Sequence, residues 1–389
     1  TTIDELAALY TPADPKASEL TKELYTSLAK ISYSKSFLFG HQNDQTKGQD
    51  FRDSTGGHYE SDLNTATDGD EWAALYGFNL WSALNGTSME HYVKSAFMKG
   101  GVIEVEWEAD NPVTGEKLSA ADCTGNPMDH ILEGGSANEA WTGYLDNVVE
   151  EIQTYVVDDV QIPVMIRLFH EATGTWYWWG SSCVNSTQYV KVFQYTVDYL
   201  RDAGLNNLLV IYAPAKPSEY KEEALYELYP GDDYVDIMAW DRYGTTKYSQ
   251  ELKEDAHAIV PFADEHYKVP ALAETGYYQG TMQNTYDADW WMDSFLKPIV
   301  ENEYLSRIAY TITWTDYAED CYWIPLEGDY TYDGFVRMSK SENVLFLDDS
   351  DWVNLPYANQ IQKARKKEGW SRRLDAGNSG QHGAWRCST

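Results

Sequence analysis

Short apolar runs alternate with longer segments of helical period eight times along the chain, and this restricts the fold more than any other feature. The runs are Phe37–His41, Tyr76–Trp81, Val102–Trp107, Pro163–Phe169, Asn207–Tyr212, Tyr234–Trp240, Val269–Ala273 and Arg307–Trp314. Between them, Val190, Phe193, Val197 and Leu200 share one helical face, as do Leu145, Val148, Val149, Ile152 and Val156. Glu90 to Lys99 and Thr285 to Val300 are weaker helical segments, and Pro298 is expected to end or kink the second. Strands that alternate with helices pair in parallel. Eight such units close into a (β/α)8 TIM barrel. An open doubly wound sheet is the competing arrangement, but no G-x-G-x-x-G or P-loop accompanies it.

The 389 residues fit one barrel, because barrels of this type often exceed 250 residues as a single unit. Residues 1–362 are expected to form that single domain. From Lys363 the character changes: seven Lys or Arg face two acidic residues over 363–389, with no apolar period. This stretch reads as a basic tail, disordered or artificial in origin. Residues 113–136 form a long polar loop after the third strand, where a barrel builds its site.

Composition narrows the partners. A formal net charge of -33 makes nucleic acid and anionic membranes poor partners. No apolar run approaches the length of a membrane span. Aromatic residues make up 14%, with 15 Trp and 30 Tyr. Their flat faces suit the C–H side of a sugar ring, although a large barrel core also uses many. The four cysteines, Cys123, Cys183, Cys321 and Cys387, lack the C-x-x-C spacing of zinc or thioredoxin sites, and their three possible pairings stay open.

Cleaving a glycosidic bond needs two carboxyl groups, one to protonate the leaving oxygen and one to attack the anomeric carbon or activate water. On a barrel these groups belong at the C-terminal strand ends. Glu171 follows the fourth run in Arg167-Leu-Phe-His-Glu171, and Glu274 ends the seventh in Leu272-Ala-Glu274-Thr-Gly276. Packing gives a poor account of either carboxylate, and salt bridges to strand-end arginines are the plain alternative. Arg167 lies within its strand, so its charge must be paired there. A supporting contact to a catalytic carboxylate would satisfy it.

The stretch His170-Glu171…Gly174-Thr-Trp176-Tyr-Trp-Trp-Gly180 resembles the acid/base signature of glycoside hydrolase family 26. Its members are mainly endo-β-1,4-mannanases. Phe39-Gly-His-Gln42, Gly100 to Trp107 with Asn111-Pro112, Tyr229 to Tyr243, and Trp314 resemble further family motifs in the same order. The likeness spans roughly residues 30–345. It implies a retaining enzyme that cuts internal β-1,4-mannosidic bonds of mannan or galactomannan by double displacement, as a secreted, periplasmic or cell-surface monomer. Glu171 would be the acid/base and Glu274 the nucleophile. His170 would steady the carboxylates, Tyr243 would hydrogen-bond the nucleophile, and Trp176 and Trp314 would be sugar platforms. Trp107, Glu108 and His41 would also line the substrate site. Of Trp176, Trp178 and Trp179, at least one must be core. No metal or organic cofactor is implied.

Two departures bear on the sugar. The family usually shows Trp-His after the third strand, where this chain has Trp107-Glu108. It often shows Arg after the eighth-strand Trp, where this chain has Thr315 and Asp316 after Trp314. A mixed-linkage β-glucanase or β-1,3-xylanase on the same scaffold, or a non-catalytic carbohydrate-binding barrel, are the alternatives.

Overall fold

The computed structural model describes residues 1–53, 60–115, 123, 126–220, 222–278, 280–281, 284–316 and 321–368. Eight parallel strands form the barrel: β1 Phe37–Gln42, β2 Leu75–Asn79, β3 Val102–Glu106, β4 Val164–Arg167, β5 Leu208–Tyr212, β6 Ile237–Gly244, β7 Val269–Tyr277 and β8 Tyr310–Thr313. Each pairs with the next in sequence. Closure comes from β8 against β1, with Leu38 opposite Tyr310 and His41 opposite Thr313. A two-residue strand, Val344–Leu345, adds to the lower part of β1. Every described β1, β3, β4, β5 and β8 residue is buried, as strands covered on both faces must be.

The helices form for the reasons their sequences supply. Ser186–Asp202 begins where the Asn185 side chain accepts from Gln188 N, a standard N-cap. Its buried residues Tyr189, Val192, Phe193, Thr196, Val197 and Leu200 recur at helical spacing. Asn138–Gln153 buries Trp141, Leu145, Val148, Val149 and Ile152. Val156 lies outside it, in a small hairpin of Val156–Val157 with Val160–Gln161. Pro298 does not stop its helix. The backbone widens to a π-helical stretch at Trp291–Leu296 and continues without a break as Lys297–Glu301, so the proline is met by a local distortion of the helix just before it rather than by the helix's end.

Several strand boundaries differ from the sequence reading, and three of them bear on the site. Leu80 and Trp81 open a helix, Leu80–Leu84, because the Asn79 side chain caps it through Ser82 N. β6 and β7 run to Gly244 and Tyr277, so Asp241, Tyr243 and Glu274 lie within strands. Where these strands pair, Trp240 faces Leu272 but Asp241 faces Glu274. Ala273 is therefore an extra residue, a bulge that re-aims the side chains beyond it.

The last described helix, Pro356–Glu368, passes the expected boundary at residue 363. Tyr357 and Ile361 are buried, and Arg365 Nη1 donates to Lys99 O at 3.0 Å. Residues 369–389 lie outside the described residues, as does Cys387. Cys123 and Cys183 form a disulfide, so the segment after β3 is tied to the segment after β4. Of the 113–136 loop, residues 127–130 form a short 3-10 turn, while 116–122 and 124–125 lie outside the described residues.

Candidate active site

Alternation along the strands gathers a charged layer inside the barrel mouth. Glu104 and Glu106 share one face of β3, two residues apart, and Asp241 and Tyr243 do the same on β6. Arg167 from β4 stands among them. Its Nε donates to Glu104 Oε1 at 3.0 Å, Nη1 to Asp241 Oδ2 at 3.0 Å and Nη2 to Glu274 Oε1 at 2.7 Å. Burial opposes the guanidinium charge, but Asp241, Glu274, Glu104 and Glu106 outweigh it and keep it protonated. Tyr243 Oη donates to the second oxygen of Glu274 at 2.8 Å. Glu274 thus has one donor on each oxygen.

Glu171 meets a different environment. It stands just after β4 with φ of 55°, two residues from Phe169 at 47°. Both are left-handed conformations that non-glycine residues seldom adopt, and such strain collects at functional sites. The conformation is held by Glu171 N donating to Ala213 O at 2.8 Å. Burial, then the negative charge of Glu274, pushes the Glu171 carboxyl up to about 8, although Trp176 and Arg167 act the other way. Trp176 Nε1 donates to Glu171 Oε2 at 2.5 Å. Glu171 is therefore a carboxyl held protonated near neutral pH.

His170 is buried, and burial together with the Arg167 charge holds it well below the usual histidine range, so its ring is neutral. Its Nε2 meets Tyr177 Oη at 3.2 Å, and the same hydroxyl donates to Glu108 Oε1 at 3.2 Å. Asn79 Nδ2 donates to Glu106 and lies 3.5 Å from Glu108 Oε2. Burial and the nearby Glu274 raise Glu108.

The other expected residues occupy varied surroundings. Trp178 and Trp179 are both core: their indoles donate to Ala109 O and His170 O at 2.9 and 2.8 Å. Trp176 stays half-buried, so two of the three are core where at least one was expected. Trp107 is buried and stacks on Trp141 at 5.0 Å, its ring bordering a cavity with Trp81, Asp110 and Tyr144. Trp314 is half-buried just past β8. His41 is fully buried, bonded through Nδ1 to Thr313 Oγ1 at 2.8 Å, and belongs to an acidic cluster with Asp44, Asp62 and Asp316.

Asp241, Glu104, Tyr177 and Asn79 also belong to the site; the first three lie inside the family-like stretches, but the sequence reading gave none of the four a role. An acidic residue within an apolar strand, as in Ala239-Trp-Asp241, is the available signal for the first two. Two groups have donor atoms within 4.8 Å of one another and could hold a cation: Glu106, Glu108 and His170, and His170, Asp241 and Glu274. In the second, Arg167 already supplies the positive charge to both carboxylates.

A closed parallel barrel that sets one carboxyl just past β4 and another in the C-terminal half of β7, one cradled by Arg and Tyr and one held protonated, matches the glycoside hydrolase class of TIM barrels. The sequence matches glycosyl hydrolase family 26 over residues 13–323, and the chain belongs to that family. A mannan endo-1,4-beta-mannosidase of Bifidobacterium adolescentis is 24% identical over 380 residues, covering 89% of this chain and 36% of the relative. The chain thus spans about a third of that relative's length. The catalytic domain of a family 26 endo-beta-1,4-mannanase from Bacillus sp. JAMB-750 superposes with a TM-score of 0.82 at 28% identity, covering 90% of this chain and 97% of that one. A family 26 beta-mannanase from Bacteroides ovatus gives 0.77 and 28%, with coverage of 87% and 98%.

Proposed function

We propose that this chain is a retaining endo-β-1,4-mannanase in which Glu274 is the nucleophile and Glu171 the acid/base. The observation that carries the assignment is the contrast between the two carboxyls. Glu274 takes hydrogen bonds from Arg167 and Tyr243, while burial and the neighbouring charge raise Glu171 to about 8. Protonated Glu171 gives its proton to the leaving oxygen as Glu274 attacks the anomeric carbon and the glycosidic bond breaks. The glycosyl ester neutralises Glu274, which removes one cause of the raised Glu171 pKa. Glu171 is then ionised and takes a proton from water, which attacks the same carbon and releases Glu274 with the configuration restored.

Trp176 and Trp314 are half-buried and suited to stack on sugar, while Tyr177 and Glu108 offer hydrogen-bonding groups. Family membership and the mannanases named among its relatives support mannan as substrate. Action outside the cytoplasm as a monomer fits a polymeric substrate, and among the described residues no helix is long and apolar enough to cross a membrane.

The test is an assay of the purified protein on mannan, galactomannan, mixed-linkage β-glucan and β-1,3-xylan, with NMR of the first-formed product. Manno-oligosaccharides released as β-anomers are expected. An α-anomer as first product would overturn retention, and turnover confined to glucan or xylan would overturn the substrate.

A further inference from the structure

We propose that Trp323 is a positioning residue for Tyr243, and that Asp316, one of the two residues that depart from the family pattern after Trp314, holds it there. The proposal rests on the reading of Glu274 as nucleophile.

Trp323 is buried, and its ring stands 5.0 Å from that of Tyr243 at 57°. On another side it meets Gly276, two residues past Glu274 on β7. A Cβ added to Gly276 would come 2.5 Å from Trp323 Cε3 and 2.7 Å from Cζ3. Only glycine lets the indole lie this close to the strand that carries the nucleophile. Trp323 therefore touches both partners of one hydrogen bond: the tyrosine that donates it and the strand whose carboxylate accepts it. A phenol free to rotate would lose that bond for part of the time, and packing against the indole prevents this.

Asp316 fixes the tryptophan through the backbone. Trp323 N donates to Asp316 Oδ1 at 2.6 Å. Asp316 is itself buried, 3.7 Å from His41 Nε2, and hydrogen-bonded to Asp62, which accepts from Gln49 N at 2.7 Å. Thr315 Oγ1 accepts from Asn43 Nδ2 at 3.2 Å. The two residues that replace a basic one thus anchor the segment after β8 to β1 and to the helix Asp62–Ala66. The Trp323 indole N–H is buried with no acceptor among the described residues. What the side chain supplies is a flat packed face, and phenylalanine should serve nearly as well.

The test is a double-mutant cycle read in kcat and KM on soluble galactomannan, with thermal melts alongside. Tyr243→Phe should lower kcat about 10- to 100-fold at nearly constant KM, the rate equivalent of one hydrogen bond to a charged group. Trp323→Ala should lower kcat by a similar factor, Trp323→Phe should stay within about threefold of the parent, and Tyr243→Phe with Trp323→Ala should be no slower than Tyr243→Phe within about threefold. Should Trp323→Ala fail to fold, Trp323→Leu takes its place, keeping apolar volume without the flat ring. Asp316→Asn, which retains the acceptor oxygen, should rescue the loss seen with Asp316→Ala. Losses that multiply in the double variant, or a Trp323 effect confined to KM, would overturn the proposal. A Glu274→Ala variant that kept retaining turnover would instead take down the nucleophile assignment beneath it.

Discussion

At the residue scale, the chemistry turns on how neighbours divide two carboxyls. If Glu171 is the acid, truncating it to Ala should slow substrates with poor leaving groups far more than activated aryl glycosides, whose first step needs little proton donation. Azide should then restore turnover by attacking the intermediate directly. Equal slowing of both substrate types, with no azide response, would remove Glu171 from the role. The same residue should set the alkaline side of the pH profile. The acid works only when protonated, so kcat/KM falls as pH rises through its pKa, near 8 in the folded protein. The Trp176 indole bonds the Glu171 carboxylate and pulls that pKa down. Trp176→Phe removes the bond, favours the protonated form and should move the alkaline limb to higher pH. A limb that stayed put or moved lower would contradict the sign of the contact.

At the element scale, strand ends and helix ends decide what the site contains. The bulge at Ala273 shifts register so that Asp241 faces Glu274, and both carboxylates reach one guanidinium. An unbulged β7 would turn its side chains after residue 272 to the opposite face. The disulfide between Cys123 and Cys183 ties the β3 and β4 segments that carry Glu108 and Trp176. Farther out, the helix Pro356–Glu368 packs on the barrel through Tyr357 and Ile361, and Tyr357 Oη donates to Gly101 O at 3.0 Å. Ending the chain after Glu368 should leave the melting temperature unchanged. Ending it after Gln362 removes the Arg365–Lys99 bond and the last helical turns, and should lower it by a few degrees. Equal melting for the two truncations would show that residues 363–368 contribute nothing.

At the scale of the whole molecule, buried carboxyls dominate the response to pH. Asp44 is raised to about 6, Asp316 and Glu104 to about 7, and Asp62 and Glu171 to about 8, each chiefly by burial. In the unfolded chain such groups titrate near 4. Between about pH 4 and 8 the native state therefore binds protons that the unfolded state has released, and stability falls as pH rises. The formal net charge of -33 acts in the same direction through self-repulsion. The melting temperature should be highest in mildly acidic buffer and should drop steadily toward pH 8, with salt recovering only the surface part of the loss. A maximum at pH 8 would mean that these groups are already ionised in the native protein.

Much of this is legible in the amino-acid sequence. The eightfold alternation gave the strands, the helices and their parallel pairing, because the periods of two and 3.6 are local properties, and it favoured a barrel over an open sheet. Glu171 and Glu274 could be picked out because a carboxylate at the end of an apolar strand has few structural uses. Arg167 within its strand announced that acidic partners must exist, since a buried charge cannot stand alone, but its partners Glu104, Asp241 and Glu274 lie 63, 74 and 107 residues away. Which of Trp176, Trp178 and Trp179 faces outward was equally beyond a linear reading, because adjacent residues on an irregular turn have no fixed period. The burial of His41, the Cys123–Cys183 pairing, the bulge at Ala273 and the contact of Trp323 with Tyr243 all depend on segments that meet only when the barrel closes. Sequence pattern determined which elements form and which end of each carries chemistry. Closure and register decided which charges meet, because those depend on distances across the barrel that no local period encodes.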